Sequence, residues 1–380
     1  MNTHRSTRGK NVILACLGLL LVSTTTGCAF YYNGYCKAVG YYFPGCIKPP
    51  SEEKVLLPAV PPGNLGGIQT PEKVALGKML FFEPALSEGE HVSCANCHIK
   101  PRGFADPNPA SRGINGQLGG LNAPTLLNAA HQKKGRFFWN GRANSLEDQA
   151  EGPLKNPKEM GSPATLYQRI NKLSAQPKFV DAFNAAFPTG GITLANITSA
   201  IAAYERTLIS RGNSPFDRWV KGEDLDPDAI QGWKVFEKNS CGVVCHTPPL
   251  FSNEEFHNLG IFHKNLLGDP NDRSRQDPKD QSKITHPNEA CKYKTPTLRN
   301  VELTAPYMHH GEIDDLKEVI KFYSDVPKDR SPGHCKDTLD NQFKVEEQAV
   351  PKLDDNDKEY LEAFLKSLTD PEFRKFAGGE

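Results

Sequence analysis

The sequence predicts a mostly α-helical chain made of two similar modules joined by long loops, and three observations carry that prediction. Apolar residues recur at helical spacing behind Thr and Ser positions suited to capping. Strand-like alternation is scarce. Two Cys-His motifs, "CANCH" at 94–98 and "CGVVCH" at 241–246, lie 148 residues apart from His98 to His246, so one module per motif is the economical division. At 380 residues, 38% apolar and 24% charged, the chain has the length of two ordinary domains and the composition of a folded protein.

The first element is an export signal. Residues 1–27 combine a basic start (Arg5, Arg8, Lys10) with an apolar stretch from Val12 to Val22 and small residues before Cys28. That apolar stretch is well short of the ~20 residues that span a bilayer as a helix, which weighs against a permanent membrane anchor. Cys28 after Thr-Thr-Gly is similar to a bacterial lipoprotein acceptor, although Thr25 stands where such motifs usually carry Leu. Removal of residues 1–27 leaves 42 basic against 45 acidic side chains, a net charge of −3. Such a balance points to neither nucleic acid nor an anionic membrane surface as partner.

Residues 28–66, rich in Tyr, Gly and Pro and ending in "LPAVPPGNLGG", read as a tether. The folded body starts at "TPEKVALGKMLFF", where Thr70 can cap, Pro71 suits a first turn, and Leu76, Met79 and Leu80 share a face. Further helices are expected at "SLEDQA" after Ser145 and at "TLANITSAIAAYERTLIS", with Ile197, Ile201, Tyr204 and Leu208 on one stripe. A last one is expected at "DKEYLEAFLKSL". The 32 Gly and 30 Pro punctuate long loops at 99–121 and 262–295, and no repeat beyond the two Cys-His motifs is evident.

"CANCH" is the specific motif. Cys94 and Cys97 on one helical turn reach the two vinyl groups of a haem, and His98 brings an imidazole beneath the iron. A zinc site would need two further ligands nearby, and the next cysteine is 144 residues on. No βαβ pattern surrounds the motif to support a thioredoxin-like redox pair. "CGVVCH" (Cys241, Cys245, His246) is one residue longer, and the extra residue turns the second sulfur about 100° around a helix. A haem site bulged at Gly242, a metal site and a chance helix end all remain open on these residues alone. Nine cysteines follow the signal cleavage. If two haems take four and a lipid takes Cys28, then Cys36 with Cys46 and Cys291 with Cys335 are natural disulfide pairs in an oxidising compartment, free buried thiols being the alternative.

The chain resembles the bacterial dihaem cytochrome c peroxidases, in particular the branch that includes MauG. The resemblance runs from about Thr70 to Leu368 and rests on "SCANCH", "LNAPTLLNAA", "FFWNGRANSLEDQAEGP", "NPKEM", "AAYERTLIS", "FHNLG", "KTPTLRNVELTAPYMH" and "EVIKFY". It implies two cytochrome c-like haem domains: residues 67–212, whose haem meets peroxide, and residues 213–380, whose haem relays electrons. It also places the second haem at "CGVVCH". Many members close the first iron with a His in the loop after the motif. No His occurs here between His98 and His131, so an iron open on its distal side, active without reductive priming, is expected.

By the same resemblance Gln149, Pro153 and Glu159 line that distal side. Glu159 would take the proton of peroxide and return it to the leaving oxygen. Read without the family, it is a loop carboxylate. Trp139 matches the indole between the haems and can relay an electron, or be simply a buried aromatic beside Phe137 and Phe138. The second iron's sixth ligand is expected to be Tyr323, on a face with Leu316, Val319 and Ile320, in preference to Met308, His309 or His310. A phenolate would lower the potential relative to a Met ligand. The family's Ca²⁺ would be held by the Asn122 side chain and the carbonyls of Thr304 and Pro306. Two departures stand out: His310 replaces an Asp common after "YMH", and Asn239 stands near where MauG carries a Trp.

The implied function is a periplasmic, lipid-anchored peroxidase that reduces hydrogen peroxide with electrons from a small redox protein, a cytochrome c or a cupredoxin. A MauG-like oxidase modifying residues of a partner protein is the second reading, and a non-enzymatic dihaem electron carrier the third.

Overall fold

The computed structural model describes residues 36–37, 47–60, 66–259, 261, 292–324 and 353–377. The first half opens with α1 (Pro71–Phe81), where Thr70 Oγ1 accepts from Lys73 N at 3.2 Å and Pro71 occupies the first turn. α2 (Leu146–Leu154) starts behind Ser145, whose Oγ accepts from Asp148 N at 3.0 Å. α3 (Leu166–Ser174), α4 (Pro177–Ala186) and α5 (Leu194–Glu205) follow, the last capped by Thr193. The second half carries α6 (Pro215–Val220), α7 (Pro227–Lys238), α8 (Leu316–Ser324), α9 (Asp355–Ser367) and α10 (Pro371–Ala377). Sheet among the described residues is one antiparallel pair, β1 (Phe256–His257) against β2 (Tyr293–Lys294).

Each half has its own core. Leu76, Leu80 and Phe81 of α1 meet Ile197, Ile201 and Tyr204 of α5 in the first. Phe216, Trp219, Trp233, Phe236, Phe251 and Phe364 form an aromatic cluster in the second, its ring centroids 5.0–6.5 Å apart wherever they meet. Met79 is exposed rather than on the buried face of α1, and Gly77 takes the inward position. A side chain at Gly77 would run into the Ala200 carbonyl, so the two helices cross at backbone contact. Leu208 is buried but lies past the end of α5.

The stretch expected as a tether packs over part of its length. Val55 is fully buried in the second core, and Arg299 Nη2 donates to its carbonyl at 2.6 Å. His131 Nε2 lies 3.0 Å from Pro58 O. Tyr/Gly/Pro-rich composition misled here because one apolar side chain and a few carbonyls suffice to dock an extended segment. At the other end Phe373 of α10 joins the first core, so each terminal segment crosses to the opposite half.

The two halves are also a repeat that the sequence did not disclose. Bridges Phe137–Ala143 and Tyr307–Ile313 are equivalent at an offset of 170 residues, and each turn holds a left-handed non-glycine, Phe138 (φ 65°) and Met308 (φ 69°), ahead of Gly141 and Gly311. α2 and α8 follow at that same offset. Thr125 Oγ1 donates to Gly103 O at 2.5 Å and Thr297 Oγ1 to Leu250 O at 2.6 Å. Asn128 and Asn300, both left-handed, each donate a side-chain N–H to Ser210 Oγ, at 3.1 and 2.7 Å. Gly232 repeats Gly77: a side chain there would strike the Tyr360 carbonyl, where α7 crosses α9.

Overpacking of that crossing cannot be relieved by a rotamer change, because the obstacle is backbone. Gly232→Ala is expected to lower unfolding free energy by about 3 kcal/mol in guanidinium titration. A loss under about 0.5 kcal/mol, the range of an ordinary surface change, would contradict the close crossing.

Candidate active site

Both Cys-His motifs are single helical turns followed by a histidine with a fixed tautomer. In the first turn, Cys94–Cys97, His98 N donates to Cys94 O at 2.9 Å, and Ser93 and Asn96 brace the start through a capping box. His98 Nδ1 lies 3.1 Å from Phe104 O, and a carbonyl only accepts, so Nδ1 carries the proton and Nε2 keeps its lone pair for a metal. His246 repeats this with Phe251 O at 2.9 Å. Phe104 (φ 56°) and Phe251 (φ 55°) are both left-handed, the unusual backbone form at the two carbonyls that receive these protons. Burial lowers both imidazoles, His246 to about 4, so each ring stays neutral at physiological pH.

The extra residue of "CGVVCH" is absorbed without moving the histidine. His246 N still donates to the first cysteine's carbonyl, at 2.8 Å, but across five residues instead of four. Val243 and Val244 bulge into solvent at 74% and 46% exposure, while Gly242 sits where a side chain would press on Phe236 at 2.9 Å. Gly242 thus serves close packing beside the bulge.

Cys94, Cys97, Cys241 and Cys245 are not joined in disulfides. Burial pushes Cys97 and Cys241 up to about 11 and Cys94 higher still. Among the described residues neither motif is part of a cluster of three ligand groups close enough for one metal ion. Cys36 is disulfide-bonded; Cys28, Cys46, Cys291 and Cys335 lie outside the described residues.

A cavity of about 310 Å³ joins Cys94, Cys97 and His98 to Gln149, Pro153 and Glu159. Among the described residues that line it, His98 is the only histidine. Gln149 and Pro153 are one turn apart on α2, and Leu146 and Ala150 beside them on the helix also line the cavity. The loop carrying Glu159 is fixed on both sides. Arg169, itself buried, donates to Leu154 O at 2.7 Å, Ser162 O at 2.8 Å and Leu86 O at 2.6 Å. Gly113 lies where any side chain would collide with the backbone of residues 158–159. Desolvation raises the Glu159 carboxyl above its ordinary value, opposed by the Arg142 charge and by Asn156 Nδ2, which donates to Oε1 at 2.7 Å.

Trp139 lines the same cavity, and its Nε1 donates to Asn122 O at 3.0 Å. Its indole meets the His309 ring edge-on, centroids 6.4 Å apart, at the seam between the halves. The Asn122 amide donates to Asp106 O at 3.1 Å and Asn108 O at 2.8 Å, which turns Oδ1 away from both. Thr304 and Pro306 flank Ala305, whose carbonyl accepts from Arg102 at 2.9 Å. Tyr323 lies half-buried on α8, edge-on to Phe322 at 5.5 Å, and the repeat gives it the place that Pro153 holds on α2.

The chain is similar to known proteins along most of its length. A family model described as di-haem cytochrome c peroxidase matches residues 71–225. The cytochrome c551 peroxidase of Nitrosomonas europaea is 34% identical over 314 residues, 80% of this chain and 84% of its own length. The chain belongs to the dihaem cytochrome c peroxidase family. The methylamine utilization protein MauG of Methylorubrum extorquens is 33% identical over 79% of this chain and 78% of its own. A solved MauG-like protein associated with microbial copper homeostasis matches with a TM-score of 0.69 at 28% identity, covering 88% of this chain and 96% of that one. The dihaem peroxidase BthA of Burkholderia thailandensis gives 0.69 at 25%, covering 80% and 88%. As a MauG-like member of this family the protein is an oxidoreductase of the peroxidase type with two c-type haems. The cysteine pairs, held in no disulfide, and the Nε2 lone pairs of His98 and His246 fit that cofactor.

Three cavity residues of this peroxidase escaped the sequence reading. Arg142 stacks on the Phe138 ring at 3.5 Å and supplies the positive field at Glu159. Lys294, lowered to about 8 by burial, donates to Gln132 Oε1 at 2.7 Å and Arg136 O at 2.6 Å. Glu205, raised to about 8 by burial, is one helical turn beyond Ile201, so the stripe on α5 already placed a carboxyl on a buried face. No periodicity marks the other two.

The double mutant Cys241→Ser, Cys245→Ser is expected to lose the mass of one haem in denaturing mass spectrometry while the haem at Cys94 and Cys97 stays attached. Retention of both masses would mean that the second haem is bound elsewhere.

Proposed function

We propose that the protein is exported to the periplasm, anchored by a lipid on Cys28, and reduces hydrogen peroxide with electrons from a small redox protein such as a cytochrome c or a cupredoxin. One observation carries the reading: a single cavity is lined by His98 and by Gln149, Pro153 and Glu159, with no second histidine among the described residues that line it. The haem held by Cys94, Cys97 and His98 supplies the peroxide-reactive iron. Gln149 would orient the incoming peroxide, and Glu159 would take its proton and return it to the departing oxygen as water forms. Trp139 would pass electrons across the seam from the half that carries His246. Ca²⁺ would stiffen that seam through Asn122 Oδ1 and the Thr304 and Pro306 carbonyls, oxygen donors of the kind it prefers.

A MauG-like activity, oxidising residues of a partner protein, is favoured by Tyr323 as a phenolate ligand. Asn239, whose side chain donates back to Val235 O at 2.9 Å, gives no electron relay at the surface where MauG has an indole. Cross-links or oxygenated residues in a partner would separate this reading from peroxide reduction. An electron carrier without enzymatic activity would consume no peroxide.

Glu159→Gln is expected to retain both haems and lose about 10²-fold or more of peroxide turnover. The working form of Glu159 is ionised and burial raises its pKa above 4.5, so wild-type kcat/KM rises with pH through that elevated value. The acidic limb should vanish in the variant. An unchanged pH profile would remove Glu159 from the reaction.

The resting ferric protein should show one high-spin and one low-spin haem by electron spin resonance. Tyr323→Met should raise the potential of the low-spin haem, whereas Met308→Leu should leave it unmoved. A thioether charge-transfer band lost in Met308→Leu would assign that ligand to Met308.

A further inference from the structure

The turn Tyr307–Ile313 holds a cluster that the peroxidase chemistry does not use. His309 and His310 are buried, Glu312 is half-buried, and one ligand atom from each lies within 4.8 Å of the other two. We infer that His309, His310 and Glu312 form a binding site for a divalent cation of the Zn²⁺ class. Two imidazoles and one carboxylate make a borderline donor set, softer than the all-oxygen set Ca²⁺ prefers and suited to Zn²⁺ or Cu²⁺.

The backbone is shaped to converge these groups. Left-handed Met308 and left-handed Gly311 bracket the two histidines, and their rings stand 4.4 Å apart at 49°. Tyr293 of β2 stacks on His309 with centroids 3.4 Å apart and planes 17° from parallel, which fixes that ring. The Glu312 oxygens are buried and make no regular hydrogen bond; only the backbone N–H groups of residues 310 and 312 face them. No described lysine or arginine pairs with Glu312, so the buried carboxyl has no described counter-charge. In the repeat, the first half has Trp139, Asn140 and Arg142 at these three places, so the donor set is confined to the second half. The His309 ring also meets the Trp139 edge, so a bound divalent charge would oppose oxidation of that indole.

The test uses the full holoprotein with both haems attached, stripped with chelator and then supplied with excess Ca²⁺ so that oxygen-ligand sites stay filled. Titration with Zn²⁺, followed by metal analysis after dialysis, should show one Zn²⁺ per chain. Glu312→Gln and His310→Gln should each weaken that binding by more than about tenfold with haem spectra unchanged. A separate measurement needs no variant: Cu²⁺ bound to the wild-type protein should show couplings to two imidazole nitrogens in pulsed spin resonance. No stoichiometric Zn²⁺ binding to the wild type, equal binding by both variants, or a Cu²⁺ signal without two imidazoles would each overturn the site.

Discussion

A crossed pair of backbone hydrogen bonds holds the two halves in register. Asn122 N donates to His309 O at 3.0 Å, and Lys294 N donates to Trp139 O at 2.8 Å. Asn122 and Lys294 each stand two residues before a Pro-Thr-Leu segment, and Trp139 and His309 occupy equivalent places in the repeated turn, so each half gives to the other what it receives. Such a bond is worth only about 1 kcal/mol net, but stranding its buried partner costs more, so the seam has one register. The Trp139–His309 contact, the position of Asn122 beneath the indole and the shared wall of the cavity all follow from it. Ser210 tightens the joint by accepting from both Asn128 and Asn300.

On that symmetric frame the chemistry is asymmetric by substitution alone. Pro153 of α2 corresponds to Tyr323 of α8 in the repeat, and Gln149 corresponds to Val319. Proline offers neither a ligand nor a backbone donor, so it can border an iron without closing it. Tyrosine at the same place brings an oxygen. Arg142 and Glu312 are likewise equivalent, and they invert the charge of the turn: one lowers the cost of ionising Glu159, the other stands among histidines. The repeated turn and the helix that follows it thereby carry different side chains on the same backbone frame.

Much of this was legible in the sequence where the signal is local. Thr70, Ser145 and Thr193 cap helices as their positions suggest, and "CANCH" announces its cofactor because two thiols and an imidazole on one turn serve few other purposes. What escaped is long-range. The equivalence of "NAPTLLN" and "KTPTLRN" is carried by four shared residues, too few to declare a repeat until the Thr125 and Thr297 hydroxyls are seen donating to matching carbonyls. Gly77 and Gly232 look like helix-weakening residues until the partner backbone appears against them. The packing of Val55 depends on a buried arginine 244 residues away. Glu159 could be placed only through the family, since a loop carboxylate has no periodicity to betray which way it faces.

The bulge at Val243 and Val244 shows why a departure from a spacing rule need not abolish the site that the rule describes. A haem attachment motif constrains three atoms, two sulfurs and one imidazole nitrogen, and says nothing of the backbone between them. Here the carbonyl of Cys241 still receives the N–H of His246, and Phe251 still fixes Nδ1 of that histidine. The added residue is expelled toward solvent, where two exposed valines cost little beyond their own unfavourable hydration. Had the insertion fallen after Cys245, it would have displaced the histidine from both partners at once. Tolerance is therefore set by which hydrogen bonds an insertion spans, and the wider turn from Cys241 spans the one that can stretch.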